Sequence, residues 1–202
     1  MTEILSSGNW NRFLLNNGRG KAYGVEVLLE KSSGRFNGFV GYTWSRSWRK
    51  FDAINGGDWT PFVYDRPHDL EAVLNFRLNN RWSFHTGFVY QRGQPMTSPT
   101  AYVRRMDGSS EPVYTRLLND RLPDIHRLDI MIEYEYRTIG KRPKSAKLSF
   151  GVYNIYGRAN PIGVAFRSFS AGSSGADVPL FHSATYQTLF RFVPIFNYSI
   201  NW

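Results

Sequence analysis

Cysteine is absent from the 202 residues. Disulfides, thiolate metal sites and cysteine nucleophiles are thereby excluded, which fits an oxidising envelope without requiring one. No apolar run approaches the roughly 20 residues of a spanning helix, so a transmembrane helix is excluded, and no segment carries a helical hydrophobic period. The opening stretch, MTEILSSGNW, lacks a basic n-region followed by an apolar stretch, so the sequence offers no secretory signal peptide. Acidic residues are in deficit. Against 25 Lys and Arg stand 16 Asp and Glu, a formal net charge of +9, which by itself suggests phosphate-bearing partners such as nucleic acid or anionic lipid head groups. The length allows one large domain or two small ones.

Aromatic residues are plentiful instead, 16% of the chain with 6 Trp, 12 Tyr and 15 Phe, and they recur at alternate positions. In KAYGVEVLLEK, Tyr23, Val25, Val27 and Leu29 share one parity while Gly24, Glu26, Leu28 and Glu30 share the other. On an extended strand each set occupies its own face. The same alternation marks RFNGFVGYTWS up to Ser45, then HDLEAVLNFRL, RWSFHTGFVYQ and HRLDIMIEYEY. It marks a strand from Ala146 to Tyr156, with an extension towards Phe169, and a closing strand ending FNYSINW. Asn79 and Asn80 read as a tight turn because Asn tolerates positive φ. Seven strands result, joined alternately by short and long connections. The long ones run from Arg46 to about Arg66, from about Arg92 to Pro123, and through SFSAGSSGADVP.

Alternating faces, one-sided loop lengths and aromatics near strand ends (Tyr23, Trp44, Trp82, Tyr90, Tyr136, Trp202) predict an all-β, antiparallel transmembrane β-barrel segment, integral to the bacterial outer membrane. Hairpins reverse direction each time, so seven strands leave the chain ends on opposite sides of the membrane. With the short turns periplasmic, Trp202 lies in the periplasm and residues 1–19 form an extracellular loop or partial strand. Bacterial single-chain barrels have even strand numbers. Residues 20–202 are therefore expected to be the C-terminal part of a longer barrel.

Several stretches together, GRGKAYGVEVLLEK, GRFNGFVGYTWSRS, YDRPHDLEAVLNFRLNNRW, FVYQRGQP, LPDIHRLDI, FGVYNIYGRANP and the terminal FVPIFNYSINW, resemble the C-terminal third of the barrel of TonB-dependent receptors, the outer-membrane active transporters. The resemblance covers about residues 18–202. It implies a 22-stranded barrel plugged by an N-terminal domain, importing scarce nutrients such as iron chelates, cobalamin or glycans. It also implies energy delivered by the TonB, ExbB and ExbD complex through the plug. This sequence holds neither plug nor TonB box. The terminal pattern of Phe196, Tyr198, Ile200 and Trp202 is similar to the C-terminal signal read by the outer-membrane assembly machinery.

Charges on the wet parity of the strands, Glu26, Glu30, Asp69, Glu71, Arg77, Arg127, Asp129, Glu133, Glu135 and Lys147, face away from lipid, since Arg or Lys at the bilayer midplane costs about 2 to 4 kcal/mol on the lipid side. They suit a wall that holds a plug and guides substrate, or a generic solvated lumen. In the long connections, Trp48, Trp59, Phe62, Tyr64, Tyr102 and Tyr114 are interspersed with Arg46, Arg49, Lys50, Arg104 and Arg105. Aromatics flanked by cations suit stacking on sugars or holding an anionic chelate. The other reading rests them on lipopolysaccharide, whose phosphates attract arginine.

Two stretches invite a catalytic reading, HDLE with His68 and Glu71, and HRLD with His126 and Asp129. Residues three apart on a strand point to opposite faces, so neither pair shares a metal or a proton. No serine is placed to form a dyad with His85. Neither an enzyme nor a cofactor-dependent protein is expected, and nucleic acid is not expected as a partner. Two alternatives stay open: an independent small outer-membrane barrel, porin-like or structural, with GNWNRFLLNN as its first strand, and a soluble all-β module holding glycan or single-stranded nucleic acid.

Overall fold

The computed structural model describes residues 17–106, 109–137, 145–170 and 180–201. Its principal strands are β1 (Arg19–Lys31), β2 (Phe36–Lys50), β4 (His68–Arg77), β5 (Trp82–Gln91), β10 (Ile125–Arg137), β11 (Ser145–Tyr153) and β14 (Val193–Asn201). Short ladders lie in the connections: β3 (Thr60–Pro61), β6 (Pro95–Met96), β7 (Ala101–Arg104), β8 (Ser110–Val113), β9 (Asp120–Arg121) and the hairpin of β12 (Pro161–Ser170) with β13 (Leu180–Thr188). Among the described residues the only helical element is a single 3-10 turn at Asn55–Gly57.

The seven principal strands form one antiparallel sheet in chain order, β1-β2-β4-β5-β10-β11-β14. Their register runs without a bulge from Arg19↔Lys50 at one edge to Ser145↔Asn201 at the other. Because side chains alternate with period two, this register carries one parity across the whole sheet. The rung Leu29↔Val40↔Ala72↔Phe88↔Leu128 is apolar throughout, while its neighbour Gly41↔Glu71↔Val89↔Arg127 carries the charges. Gly38 sits where β2 crosses β4 with φ +150, and a Cβ there would lie 2.0 Å from the Val73 carbonyl oxygen, so only glycine keeps the two strands this close.

No globular core exists among the described residues. Apart from three prolines, Leu122 is the one buried apolar side chain among the described residues, and the accessible surface is 14789 Å², against about 9,700 Å² for a compact monomer of this mass. Large apolar groups lie open on the outward face, Leu29 and Phe196 at 69% and Val25 at 62%. A soluble sandwich would cover that face with a second layer. A membrane wall leaves it to lipid.

Short turns close one rim and long loops the other, as the periodicity predicts. The turn between β4 and β5 differs in its chemistry. Asn79 holds it through its side chain, whose Oδ1 accepts the N–H groups of Arg81 (2.8 Å) and Trp82 (2.9 Å). Left-handed non-glycine residues occur elsewhere, at Asn55, Leu118 and Asn154. Two strand ends also depart from expectation. β2 continues past Ser45 to Lys50 because β1 pairs with it along its full length and Pro61 and Thr60 pair with Trp48 and Arg49 on the other side. Trp48, Arg46, Arg49 and Lys50 are thus strand residues. β11 stops at Tyr153, where Asn154 turns the chain, and Pro161 begins a separate hairpin with no continuation of β11. Trp202 and the GNWNRFLLNN segment, except its last residue Asn17, lie outside the described residues.

Candidate functional site: a charged inner wall beneath a braced loop crown

On the inner parity of β1, β4, β10 and β11 stand Glu26, Glu30, Asp69, Glu71, Asp129, Glu133 and Glu135 against Arg77, Arg127 and Lys147. This stretch of wall is net acidic although the chain is net basic. Its charges are paired both across strands and along one strand. Lys147 Nζ reaches Glu133 Oε1 at 3.0 Å, and Arg127 lies 3.1 Å from both Asp129 Oδ2 and the Tyr153 hydroxyl, with its guanidinium 4.7 Å from that ring. Asp69 accepts from Gln91 Nε2 at 2.9 Å, and Gln91 in turn accepts from Arg66. Nearer the short turns, Asn75 joins Asn37 (3.0 Å) and His85 (2.7 Å) into a polar rung across three strands. Glu26 and Glu30, on the edge strand β1, are exposed. A polar wall of this kind holds water, ions or a polar chain segment against it. The register thus brings together every residue expected on the inner parity.

The long loops are braced above this wall. Asp65 is 1% exposed; its carboxylate accepts the Ser47 N–H at 2.6 Å and pairs with Arg121, with Arg46 Nε 3.7 Å away. Arg121 also donates to the carbonyls of Asp65 (2.8 Å) and Gly93 (3.0 Å), which ties the β2–β4 loop to the β5–β10 loop. A second tie joins the same loops: Asn55 donates to the Leu117 carbonyl (2.9 Å), accepts its N–H (2.7 Å), and is followed by the Asp58–Arg116 pair at 2.8 Å. Between these ties lies a cavity of about 320 Å³, lined chiefly by Phe51, Ile54, Pro61, Phe62, Leu117 and Leu118.

Asp124, just before β10, makes a third brace. It accepts from the Tyr90 hydroxyl (2.7 Å), the Gly93 N–H (3.0 Å) and Arg92 (3.1 Å). Burial pushes its pKa up, but the Gly93 and Tyr90 hydrogen bonds and the Arg92 charge outweigh burial and hold the carboxyl below the ordinary aspartate value. Asn154, fully buried, donates to the carbonyls of Arg158 (2.8 Å) and Arg191, and its own N–H goes to Asp129 at 2.8 Å. The loop after β11 is thereby fastened to the wall.

The expected loop contacts do not converge on one site. Trp48 is on the outward face of β2 beneath the Arg46 guanidinium, 4.8 Å away. Trp59 lies under Lys21 Nζ at 4.4 Å. Tyr64 is 72% exposed and meets Phe62 edge-on. Tyr102 stacks at 3.7 Å on His182, which joins the β7–β8 hairpin to the β12–β13 hairpin, and on that first hairpin Arg104 sits beside Arg105, the latter paired with Glu111 at 2.5 Å. The His68–Glu71 and His126–Asp129 pairs divide between faces as expected. His68 and His126 lie instead 2.8 Å from the hydroxyls of Tyr42 and Tyr156. No group of three metal-ligating side chains occurs among the described residues. Phe196, Tyr198 and Ile200 share the outward face opposite Phe150, Leu148 and Ala146. Asp65, Arg121, Asn55, Asp124 and Asn154 escaped the sequence reading. The one signal was for Asp65, in the segment YDRP, where Pro67 biases the intervening Arg66 towards extended backbone.

One apolar face, one charged face, long loops confined to one rim and aromatics at the rims define a segment of an outer-membrane β-barrel wall. A family model described as TonB dependent receptor-like, beta-barrel, matches residues 3–155. The chain belongs to the TonB-dependent receptor β-barrel family, a family of outer-membrane transporters and receptors. No curated protein and no solved structure matches it.

Proposed function

We propose that these residues form the C-terminal barrel portion of an energised outer-membrane importer of a scarce nutrient, an iron chelate, cobalamin or a glycan. The observation that carries this reading is the unbroken register, which segregates every strand carboxylate to the inner face of a family-typical wall. In this reading the acidic wall, from Glu26 to Glu135, seats a plug segment and lines the path. The braced crown forms the outer mouth, and Trp48, Trp59, Tyr64, Tyr102, Arg104 and Arg105 act singly at its margins. Energy comes through TonB, ExbB and ExbD acting on the plug. The remaining strands of a 22-stranded barrel complete the pore, and the assembly machinery reads Phe196, Tyr198, Ile200 and Trp202.

The test is growth on single limiting sources of iron chelate, cobalamin or glycan. A strain lacking this gene is compared with one lacking TonB. Loss of growth on one source in both strains is the expected result. Normal growth of the gene-deleted strain on all three, while the TonB strain fails, overturns the importer reading.

A further inference from the structure

Outward-facing positions of the seven strands carry no acidic residue at all. They carry five cations, and four of these, Arg19, Lys21, Arg46 and Lys50, crowd the long-loop end of β1 and β2, the fifth being Lys31 at the opposite rim. Arg19 faces Lys50 directly across the ladder, and Lys21 is one outward rung below, opposite Trp48. At roughly 5 Å across strands and roughly 7 Å between outward rungs, three cations fall within about 9 Å of one another. Like charges directly opposite on a sheet repel. Arg46 is partly occupied by Asp65, but Arg19, Lys21 and Lys50 have no carboxylate partner among the described residues. Next to the cluster, Trp48 and Trp59 lie under Arg46 and Lys21, and below Lys21 and Arg46 the rings of Tyr23, opposite Arg46, and Trp44, opposite Val25, lie diagonally with centroids 5.9 Å apart.

Aromatic rings of this kind mark the depth of the membrane interface. Cations just above them on the lipid side sit at head-group level, where a loop residue reaching over the lumen would not be. A cluster that costs repulsion when empty and lies at that depth fits a ligand with several negative charges anchored in the same leaflet. We propose that Arg19, Lys21 and Lys50 bind the phosphates of an outer-leaflet phosphoglycolipid, with Trp48 and Trp59 packed against its sugar and upper acyl carbons. The inference rests on the outer-membrane reading with the long loops outside, and adds to it a defined lipid partner.

The test uses the full-length protein purified in zwitterionic detergent and titrated with lipopolysaccharide, intact or enzymatically dephosphorylated. The comparison is with the triple variant Arg19→Gln, Lys21→Gln and Lys50→Gln. Arg46 is left in place because it supports Asp65. Each cation near an anionic lipid surface strengthens attraction roughly fivefold, so the triple variant is expected to bind about a hundredfold more weakly. The wild type is expected to lose a comparable factor against dephosphorylated lipid. Heat-modifiable gel mobility shows whether the variant is folded. Equal affinity of folded wild type and variant overturns the lipid site while leaving the barrel reading intact, as does equal binding of intact and dephosphorylated lipid. A wild type that never fractionates with the outer membrane overturns both.

Discussion

Removing the Arg121 guanidinium, as Arg121→Gln, leaves the Asp65 carboxylate buried with its Ser47 N–H and a distant Arg46. Breaking a buried pair from one side costs about 3 to 5 kcal/mol, because the remaining charge is uncompensated. Here Arg46 at 3.7 Å and the Ser47 amide soften the loss, while two carbonyls, of Asp65 and Gly93, lose their donor. The lower end, about 3 kcal/mol, is the expected cost, and it falls on the junction between two loops with the sheet untouched. That raises the open population of the crown roughly 150-fold. Trypsin added to intact cells reads it directly at the bond after Arg116, next to Leu117, when opening is fast relative to cleavage. The double variant Asp65→Asn with Arg121→Gln removes both charges while keeping an acceptor for Ser47. It is expected to open the crown by less than the sum of the two single changes, with a coupling of at least about 1 kcal/mol. A wild-type cleavage rate in Arg121→Gln, or strict additivity in the double variant, would refute the claim that this pair braces the mouth.

The other expectations follow from neighbouring features. Ile130 and Met131 are adjacent on β10 but on opposite faces, so Ile130→Arg is expected to cost about 2 to 4 kcal/mol in urea unfolding of the refolded barrel and Met131→Arg far less. The Asp124 carboxyl titrates lower folded than unfolded, so its contribution is complete above the ordinary aspartate value and is lost as pH falls through the folded one. Hydrogen exchange at Gly93 should then rise only under strong acid, and Asp124→Asn should flatten that dependence. A Cβ at Gly93 would lie 1.6 Å from the Leu122 carbonyl oxygen; Gly93→Ala is therefore expected to loosen the β5–β10 loop, read as faster proteolysis there, while the sheet's circular dichroism is unchanged. Asn154→Gly keeps the left-handed turn but loses both side-chain donations, an expected cost of about 1 to 3 kcal/mol measured by thermal melting.

The sheet was legible because lipid favours a two-residue period on any strand that borders it, and the principal strands follow it with a few apolar exceptions on the inner parity, Leu28, Phe39 and Met131 among them. Legibility ended where that pressure ends. Along β2 the outward residues change from Trp44 to Arg46, Trp48 and Lys50, so the apolar signal stops at the interface while the hydrogen-bond ladder continues to Lys50. At Tyr153 the reverse happens, since extended, aromatic-rich sequence carries on but Asn154 diverts the chain. Inner-parity charges were recoverable for the same reason as the strands. Their pairings, Lys147 with Glu133 and Arg127 with Asp129, needed the register. The crown residues were not recoverable, because Asp65 with Arg121 and Asn55 with Leu117 join positions about 56 and 62 residues apart through loops that have no period.

The bulge-free register has a mechanical consequence. Sliding one strand of the wall past its neighbour by a single residue would turn every side chain over, sending Glu133 and Arg127 towards lipid and Ile132 and Leu128 inward. Such a sheet is stiff in shear and yields only by wholesale rupture, like a riveted plate. A crown fastened by a handful of side chains, Asp65, Asn55 and Asp124 foremost, is instead a hinged cover with separable bolts, so any gating in this part of the molecule belongs to the rim.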